Sequence, residues 1–489
     1  MMDLYDLGGG TSYADQILDQ LAKAVGTGDV AALVKENLEL DAHLALYTQS
    51  SKNHLTLLKD IPTIQAKSIK HEFDRIDSYA NDGNEAFYLQ DGLPGGAKMS
   101  PFRAQTDIKL IGAINSVFAL ADAQEIIRTL GQNTVGDAQG VGTILWVQSK
   151  LNQALYKADT RTTRHTARFK GLFQQMDEFF SGGNAFDRGV HIIDMRGAAL
   201  TPDDIRGAAL TSTKQYGEIG GVYLGPDAKR ALEKAMDPAE RLNIPLQTEQ
   251  GIIIGQNVDG MFTMSGRVLF RVDNALNPAI FQGTPLAVGS DEGPSAPAGG
   301  DIAISTQAPT VSGSLWGTAD AGADIVFAVS ACNLKGESTA TVKAAATVAA
   351  NGSLTVTITP ASEATSYKIY RNVHGSTDKY CVAEVKNPND ANPIVFVDKN
   401  LVIPGTGHAY ALDLRSSNFA KNDAKALELR NQPIYGNTVG LAQLMPMGIF
   451  PLANVLMTTK NDLHFIACAP QITVPRRNVV FINVGSTLP

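Results

Sequence analysis

Phe102-Arg103-Ala104-Gln105-Thr106-Asp107-Ile108-Lys109-Leu110 alternates without a break. Phe102, Ala104, Thr106, Ile108 and Leu110 fall on one face; Arg103, Gln105, Asp107 and Lys109 fall on the other. A period of two is the pattern of a strand with one face covered. Upstream, Thr63 to Tyr79 is also strand-like and carries Ile64, Ile69, Phe73 and Ile76. Between these runs lie Ala80 to Ser100, with Gly83, Gly92, Gly95, Gly96 and Pro94 and no long apolar run. The pattern predicts an extended hairpin over residues 63–110 with a flexible tip. A lone hairpin is marginal in water, so this one is expected to lie across a neighbouring subunit. Phe102, Ala104, Thr106, Ile108 and Leu110 are its candidate contact residues.

Before the hairpin, Ser12-Tyr13-Ala14-Asp15 has capping-box spacing and leads into an apolar stripe of Ile17, Leu18, Leu21 and Val25. A second helical stretch begins near Asp29 and carries Leu33, Val34 and Leu38. Residues 1–62 thus read as a helical arm. After the hairpin, Ile144, Val147, Leu151, Ala154, Leu155 and Ala158 recur at spacings of three and four, predicting a long helix over Val141–Thr160. Thr201-Pro202-Asp203-Asp204 is a helix start: threonine caps, proline fits the first turn, and the acids face the positive helix end. Gly225-Pro226-Asp227 opens a shorter helix through Met236. Strand-like runs follow at Gly251–Gly255 and Arg267–Val272.

The composition then changes. No arginine stands between Arg271 and Arg371, and no methionine between Met264 and Met445. Gly289 to Gly300 is a Gly/Pro/Ser/Ala stretch that reads as a flexible boundary. Short runs rich in Thr, Val and Ala follow at 325–331, 339–344, 353–359, 366–372, 380–385 and 394–397. Strands at this spacing predict a β-sandwich over 290–410, set into a loop of an α/β domain. Its core is expected from Val326, Ala328, Val356, Ile358, Tyr367 and Ile369, or their alternating neighbours. From about Ala411 the earlier composition returns, with strands expected at 455–459, 463–467 and 478–484.

The chain has 489 residues, which at roughly 150 per domain allows about three folded units. Hydrophobic residues at 44% argue against wholesale disorder, and a formal charge of −8 argues against a dedicated nucleic-acid binder. Cys332, Cys381 and Cys468 are too few and too odd in number for a disulfide framework and suit a reducing compartment. Neither a signal peptide nor a run of about 18 apolar residues is evident, so no membrane span is expected.

Chemistry-bearing motifs are sparse. Gly8-Gly9-Gly10-Thr11 lacks the ending of a phosphate-binding loop. Gly313-Ser314-Leu315-Trp316-Gly317 matches the letters of a nucleophile elbow, yet no helix follows it. The histidines show no metal-ligand spacing. Helix-start electrostatics explain Asp203-Asp204, and a hairpin turn explains Asn351-Gly352-Ser353. No catalytic residue, metal or cofactor is expected. One cluster stands out: Lys150, Lys157, Arg161, Arg164, Arg168 and Lys170, with Asp159 as the only acid among them. It is either a solvated face or a surface that meets phosphate backbones without base specificity. Lys157, Arg161, Arg164, Arg168 and Lys170 are the candidates for facing DNA.

The order of elements resembles that of tailed-bacteriophage major capsid proteins of the Hong Kong 97-type fold. Leu200-Thr201-Pro202-Asp203-Asp204-Ile205, followed by Gly221-Val222-Tyr223-Leu224-Gly225-Pro226, is similar to their axial-domain helix, strand and helix start. Asn454 to Leu463 resembles their late hairpin turn. The resemblance covers roughly residues 1–280 and 411–489. It implies an α+β phage capsid fold: N-arm (1–62), extended E-loop hairpin (63–110), peripheral domain with spine helix (111–190), and axial domain (191–289, completed with peripheral segments by 411–489). Within 290–410, Phe327 to Ser338 and Ala364-Thr365-Ser366-Tyr367-Lys368-Ile369-Tyr370-Arg371 resemble strands of fibronectin type III domains, implying an immunoglobulin-like insert.

The resemblance implies a non-enzymatic major capsid protein that self-assembles into hexamers and pentamers of an icosahedral head around double-stranded DNA. The implied partners are other copies of the chain, a separate scaffolding protein, a portal, packaged DNA and a decoration protein. The implied location is the virion, after assembly in the bacterial cytoplasm. Lys98 near the hairpin tip is available for a crosslink, but no partner residue is identifiable. Two other readings compete: a virion or surface protein that binds glycans through the insert, and a hydrolase with a fibronectin-type accessory domain.

Overall fold

The computed structural model describes residues 55–78, 100–118, 135–164, 167–181, 185–215, 217–236, 246–248, 251–253, 258–264, 266–307, 311–317, 322–344, 346–390, 392–414, 438–452 and 459–486. The expected arm helices, the hairpin tip with Lys98, and residues 454–458 of the late turn lie outside this set. The chain divides into two compact units, one of residues 1–51, 111–148 and 447–466, the other of 52–110, 149–446 and 467–489.

In chain order the first elements are α1 (Thr56–Asp60), β1 (Thr63–Gln65), β2 (Lys70–Ser78), β3 (Ser100–Asp107), β4 (Lys109–Phe118) and α2 (Val135–Lys157). Next come α3 (Leu172–Ser181), α4 (Ala185–His191), β5 (Ile192–Asp194), α5 (Pro202–Lys214), β6 (Gly221–Leu224) and α6 (Pro226–Ala235). Then follow β7 (Leu246–Thr248), β8 (Gly251–Ile253), β9 (Gly260–Thr263), β10 (Gly266–Val272) and α7 (Pro278–Phe281). The chain is a mixed α+β protein.

The larger unit is built on a six-stranded sheet. Strands β20 (Gly407–Leu412) and β23 (Val479–Val484) complete it in the order β5-β23-β20-β6-β10-β9. The β10–β6 and β23–β5 pairs are parallel, and β20 runs antiparallel to both β6 and β23. Val222, Leu224, Val268, Phe270, Ala409, Ala411, Val479 and Phe481 pack against Ile205 and Ala208 of α5 and Leu232 of α6. Helix α5 starts as its sequence dictates. Thr201 Oγ1 accepts from the Asp204 N–H (3.3 Å) while Asp204 accepts from the Thr201 N–H (2.8 Å). The expected end of the insert at residue 410 falls inside β20, a largely buried strand of this sheet. Strand β20 therefore belongs to the base and not to the insert.

One carboxylate fastens the base together. Asp273, 1% exposed, follows β10 and accepts from the Leu57 N–H (3.2 Å), Asn152 Nδ2 (3.0 Å), the Tyr156 hydroxyl (3.1 Å) and the Ala275 N–H (2.9 Å). Beside it Thr56 donates to the Val272 carbonyl (2.7 Å), and the Tyr223 hydroxyl donates to Asp60 (2.9 Å). These bonds clamp α1 and the C-terminal part of α2 to the end of β10.

The hairpin exists as a separate two-stranded sheet, with β2 pairing antiparallel to β3 from Lys70↔Asp107 to Ser78↔Ser100. Its second strand ends earlier than the alternation suggests. After Ile108, whose N–H donates to the Ile69 carbonyl (2.8 Å), the chain passes into β4. Strand β4 joins a different sheet, of order β1-β21-β22-β4, with β21 (Val439–Pro451) and β22 (Thr459–Ile472). One alternating run thus serves two sheets. In the smaller unit, β4 and β22 bury Asn115 and His464, and Ser116 donates to Asn461 (2.6 Å). Gly112 permits a close approach there: a Cβ would stand 2.5 Å from the His464 carbonyl oxygen.

The insert is all β. One sheet holds β11 (Ile302–Gln307), β16 (Ser353–Ile358) and β19 (Ile394–Asp398). A second has the order β14-β13-β17-β18, from β13 (Phe327–Cys332), β14 (Thr341–Val342), β17 (Ser366–Asn372) and β18 (Lys379–Lys386). The short strands β12 (Gly322–Ile325) and β15 (Ala346–Val348) pair separately. The two sheets share a core of Val356, Ile358, Tyr367 and Ile369, as expected, with Phe327, Val329 and Ala331. On β13 the core therefore takes the alternating neighbours of Val326 and Ala328. Both residue sets of β13 are buried, because the outer face of this sheet is covered too.

The expectation of a flexible boundary at 289–300 needs a correction. The 289–300 stretch is pinned along the insert: Ser290 N–H donates to Glu337 O (2.9 Å), Thr341 Oγ1 to Pro297 O (2.6 Å) and Lys343 Nζ to Gly299 O (2.7 Å). The insert is also docked on the base. Arg196 donates to the Asn400 (2.8 Å) and Leu315 (2.7 Å) carbonyls, and Asn483 Nδ2 to the Leu401 carbonyl (2.8 Å). The chain leaves and returns at one neck, where Gln282 donates to the Ile403 carbonyl (2.7 Å) and accepts from the Gly405 N–H (2.7 Å).

Two outcomes follow. Asp273→Ala strands several buried donors at about 1–3 kcal/mol each, so urea unfolding is expected to show a loss of about 3 kcal/mol or more. Replacing residues 284–404 with a short Gly/Ser linker should leave a soluble base with a cooperative thermal melt. Replacing 290–410 removes the first four residues of β20 and should give insoluble chain; equal behaviour of the two deletions would contradict this boundary.

Candidate functional site

Of the hairpin contact candidates, Ala104, Thr106 and Ile108 are buried within this chain, at 7%, 2% and 4% exposure. Thr106 Oγ1 lies 3.4 Å from the Pro470 carbonyl, and on the partner strand His71 Nε2 meets Gln471 Oε1 at 2.8 Å. This half of the face is covered by the chain's own β22, and an acid at Ile108 would unfold the subunit before it tested assembly. Leu110 is the exception, 69% exposed, with Ile69 at 66%. The backbone of Phe102 lies in β3, while its side chain is outside the description. Further large apolar groups stand in the open on the hairpin of the edge strand β9: Phe262 at 82% and Met264 at 67%. Their alternation in sequence was the only available signal, and it does not distinguish an open edge from a covered one.

The basic run is not a free cationic face. Arg161 pairs with Asp159 (2.8 Å) and Asp177 (2.9 Å), Arg168 with Glu384 (2.6 Å), and Lys170 with Glu178 (2.7 Å). Lys157 donates to the Phe281 carbonyl (2.6 Å). Glu384 comes from β18 of the insert, more than two hundred residues away in sequence. There the Arg168 guanidinium and the Ser366 hydroxyl outweigh burial and hold the Glu384 carboxyl below its ordinary value. Arg164 alone of the five has no side-chain partner among the described residues; its N–H donates to the Thr365 carbonyl (3.4 Å). These pairs give four of the five basic residues structural roles.

The remaining motif candidates resolve as structure. Ser314 donates to the Gly352 carbonyl (2.6 Å), accepts from the Trp316 N–H (3.3 Å), and has no base beside it among the described residues. Asp203 pairs with Arg206 (2.7 Å). Asn351 takes φ 60° in the turn between β15 and β16. Burial pushes the Cys332 and Cys468 thiols up to about 12, which leaves them unreactive. A cleft of about 220 Å³ opens at the start of α6, lined by Gly225, Asp227, Gly407 and His408. The His408 ring packs on Phe281 (4.5 Å between centroids) and Phe173 (5.4 Å). Desolvation there lowers the imidazole to about 3. Tyr380 and Ser486 also line this cleft.

No family model and no curated protein matches the chain. Among solved structures it is similar to the holo-SrpI encapsulin complex of Synechococcus elongatus PCC 7942, with 8% identity, a TM-score of 0.39, and coverage of 94% of this chain and 97% of that one. It is also similar to a chain in the structure of Phage G gp27 major capsid proteins and gp26 decoration proteins (6%, 0.34, 91% and 98%). A third is the capsid of an empty GTA particle (8%, 0.40, 92% and 97%). At 6–8% identity and TM-scores of 0.40 or less, these likenesses fix neither a family nor a function for this chain.

The histidine carries a pH dependence. Its unfolded value is about 6.5 and its folded value about 3, so the unfolded chain takes up the proton first on acidification. Stability is fully present above pH 6.5 and falls as pH drops through 6.5 toward 3. His408→Phe should flatten this limb when urea midpoints of the two proteins are compared between pH 7 and pH 4; parallel curves would exclude His408 as its source.

Proposed function

We propose that this chain is a shell-forming subunit of the tailed-phage major capsid type, non-enzymatic, which assembles with copies of itself. The observation that carries the reading is the β2–β3 hairpin, a two-stranded sheet that among the described residues belongs to no larger sheet and emerges from a well-packed α+β base. Its base rests on the chain's own β22, and a ribbon that reaches beyond that support is stabilised when it lies on a neighbour. The order of elements around it supports the same reading: α2 as spine, then the six-stranded sheet as axial domain, interrupted by an all-β insert of immunoglobulin-like layout and closed by β20 and β23. Exposed Ile69, Leu110, Phe262 and Met264 supply apolar area for contacts between copies.

In finer detail, the subunits form hexamers and pentamers of an icosahedral head that encloses double-stranded DNA, with a separate scaffolding protein and a portal. The hairpin contact is carried by Leu110 and Ile69 at its base and by Phe102 farther out. At about 25 cal/mol per Å², burying such side chains between copies contributes on the order of a few kcal/mol per contact.

Electron microscopy of the purified chain, with and without its scaffold, is expected to show closed shells. Leu110→Asp should keep the thermal midpoint of the isolated subunit and abolish those shells. Normal particles from that variant, or a wild-type chain that stays monomeric at high concentration, would remove the basis for this reading.

A further inference from the structure

Within the larger unit, a second cleft of about 410 Å³ lies between the base of the hairpin, the loop after α2 and the end of β18. Five cations line it, Lys109, Arg164, Arg168, Lys170 and Lys386, against a single acid, Asp107. Three of the cations are balanced: Lys109 by Asp107 (3.6 Å), Arg168 by Glu384 (2.6 Å) and Lys170 by Glu178 (2.7 Å). Arg164 and Lys386 have no carboxylate in ion-pair reach among the described residues. The cleft therefore holds two uncompensated positive charges, in a chain whose formal charge is −8. These two side chains come from segments more than two hundred residues apart in sequence. Neither has an ion pair among the described residues to account for its position.

We propose that this cleft binds a phosphate-class oxyanion. A surplus of two positive charges matches a dianionic phosphate or two adjacent phosphodiesters, whereas one carboxylate would leave half of it unbalanced. The donors suit the same ligand. Arg164 offers a planar fork of N–H groups and Lys386 a mobile point charge, the combination that recognises phosphate oxygens. Gln105 and Thr160 add neutral donors to the lining. The Thr160 hydroxyl accepts from Gln174 Nε2 (2.8 Å) and keeps its own proton to give. The inference rests on this cleft alone and stands whether or not the chain builds a shell. A nucleic-acid backbone and a free phosphate present the same chemistry to it.

The test titrates the purified full-length chain at low ionic strength with pyrophosphate and, separately, with a short DNA duplex of arbitrary sequence. The variant is Arg164→Gln with Lys386→Gln, which breaks no ion pair and should leave the thermal midpoint unchanged. Lys214→Gln with Lys335→Gln makes the same charge change away from the cleft. The cleft variant is expected to lose about tenfold in affinity, and the control to stay near wild type. Loss for both probes identifies a site open to the nucleic-acid backbone; loss for pyrophosphate alone identifies a site for a small free anion. Should the double variant misfold, Lys386→Gln alone is expected to lower affinity about threefold. The proposal is overturned if neither probe binds, if cleft and control variants bind alike, or if the cleft takes an acidic peptide and neither phosphate probe.

Discussion

The base of this protein depends on a buried carboxylate, Asp273. It stands where β10 ends, and four groups from three separate stretches of chain donate to it: Leu57 from α1, Asn152 and Tyr156 from α2, and Ala275 just beyond it. A carboxylate withdrawn from water is tolerable only when its lone pairs are met, and here they are. The requirement runs in both directions. The donors need the acceptor as much as it needs them, so α1, α2 and β10 can adopt only one mutual arrangement. That arrangement sets the stretch just before β1, from which the hairpin departs.

The insert shows the same economy in a second place. The inner face of its β13–β17 sheet is apolar and closes a sandwich core. The outer face is polar yet also buried: Glu337 accepts from Ser330 (2.6 Å), from Lys368 and from Tyr370, while Glu384 holds Arg168 and Ser366. Arg371, 2% exposed, pairs with Asp398 (2.5 Å) and lies over the Trp316 ring. Networks of this kind contribute little net energy but penalise any other arrangement heavily. The Glu337 and Arg371 networks lie within the insert and fix its strands, whereas the Arg168–Glu384 pair ties the insert to the base. The narrow neck at Gln282 and Gly405 adds a hinge-like connection that polar docking holds in place.

Charge illustrates how far local reading reaches. The run from Lys150 to Lys170 contains one acid in sequence, yet Asp177, Glu178 and Glu384 reach it in space. What remains unbalanced is smaller and differently placed: Arg164 with Lys386, in a cleft shared by segments remote in sequence. A charge run in a linear chain gives the supply of cations, whereas the fold decides which are spent on structure.

Sequence alone determined the elements whose signals are local. Period-two alternation gave the hairpin strands, threes and fours gave α2, Thr201-Pro202-Asp203-Asp204 gave the capped start of α5, and the loss of Arg and Met marked the insert. Each depends on side chains within one or two turns of each other, so it survives without tertiary context. Three matters were decided only in three dimensions. The alternation of 102–110 continues across a change of sheet at Ile108, because alternation reports which side chains share a face and not what meets that face. Strand β20 belongs to the base, because its partners β6 and β23 lie far from it in sequence. The Gly/Pro/Ser stretch at 289–300 is pinned, because flexible composition is overruled when neighbours supply hydrogen bonds. In all three, the deciding contact joins residues whose separation along the chain leaves no periodic or compositional trace.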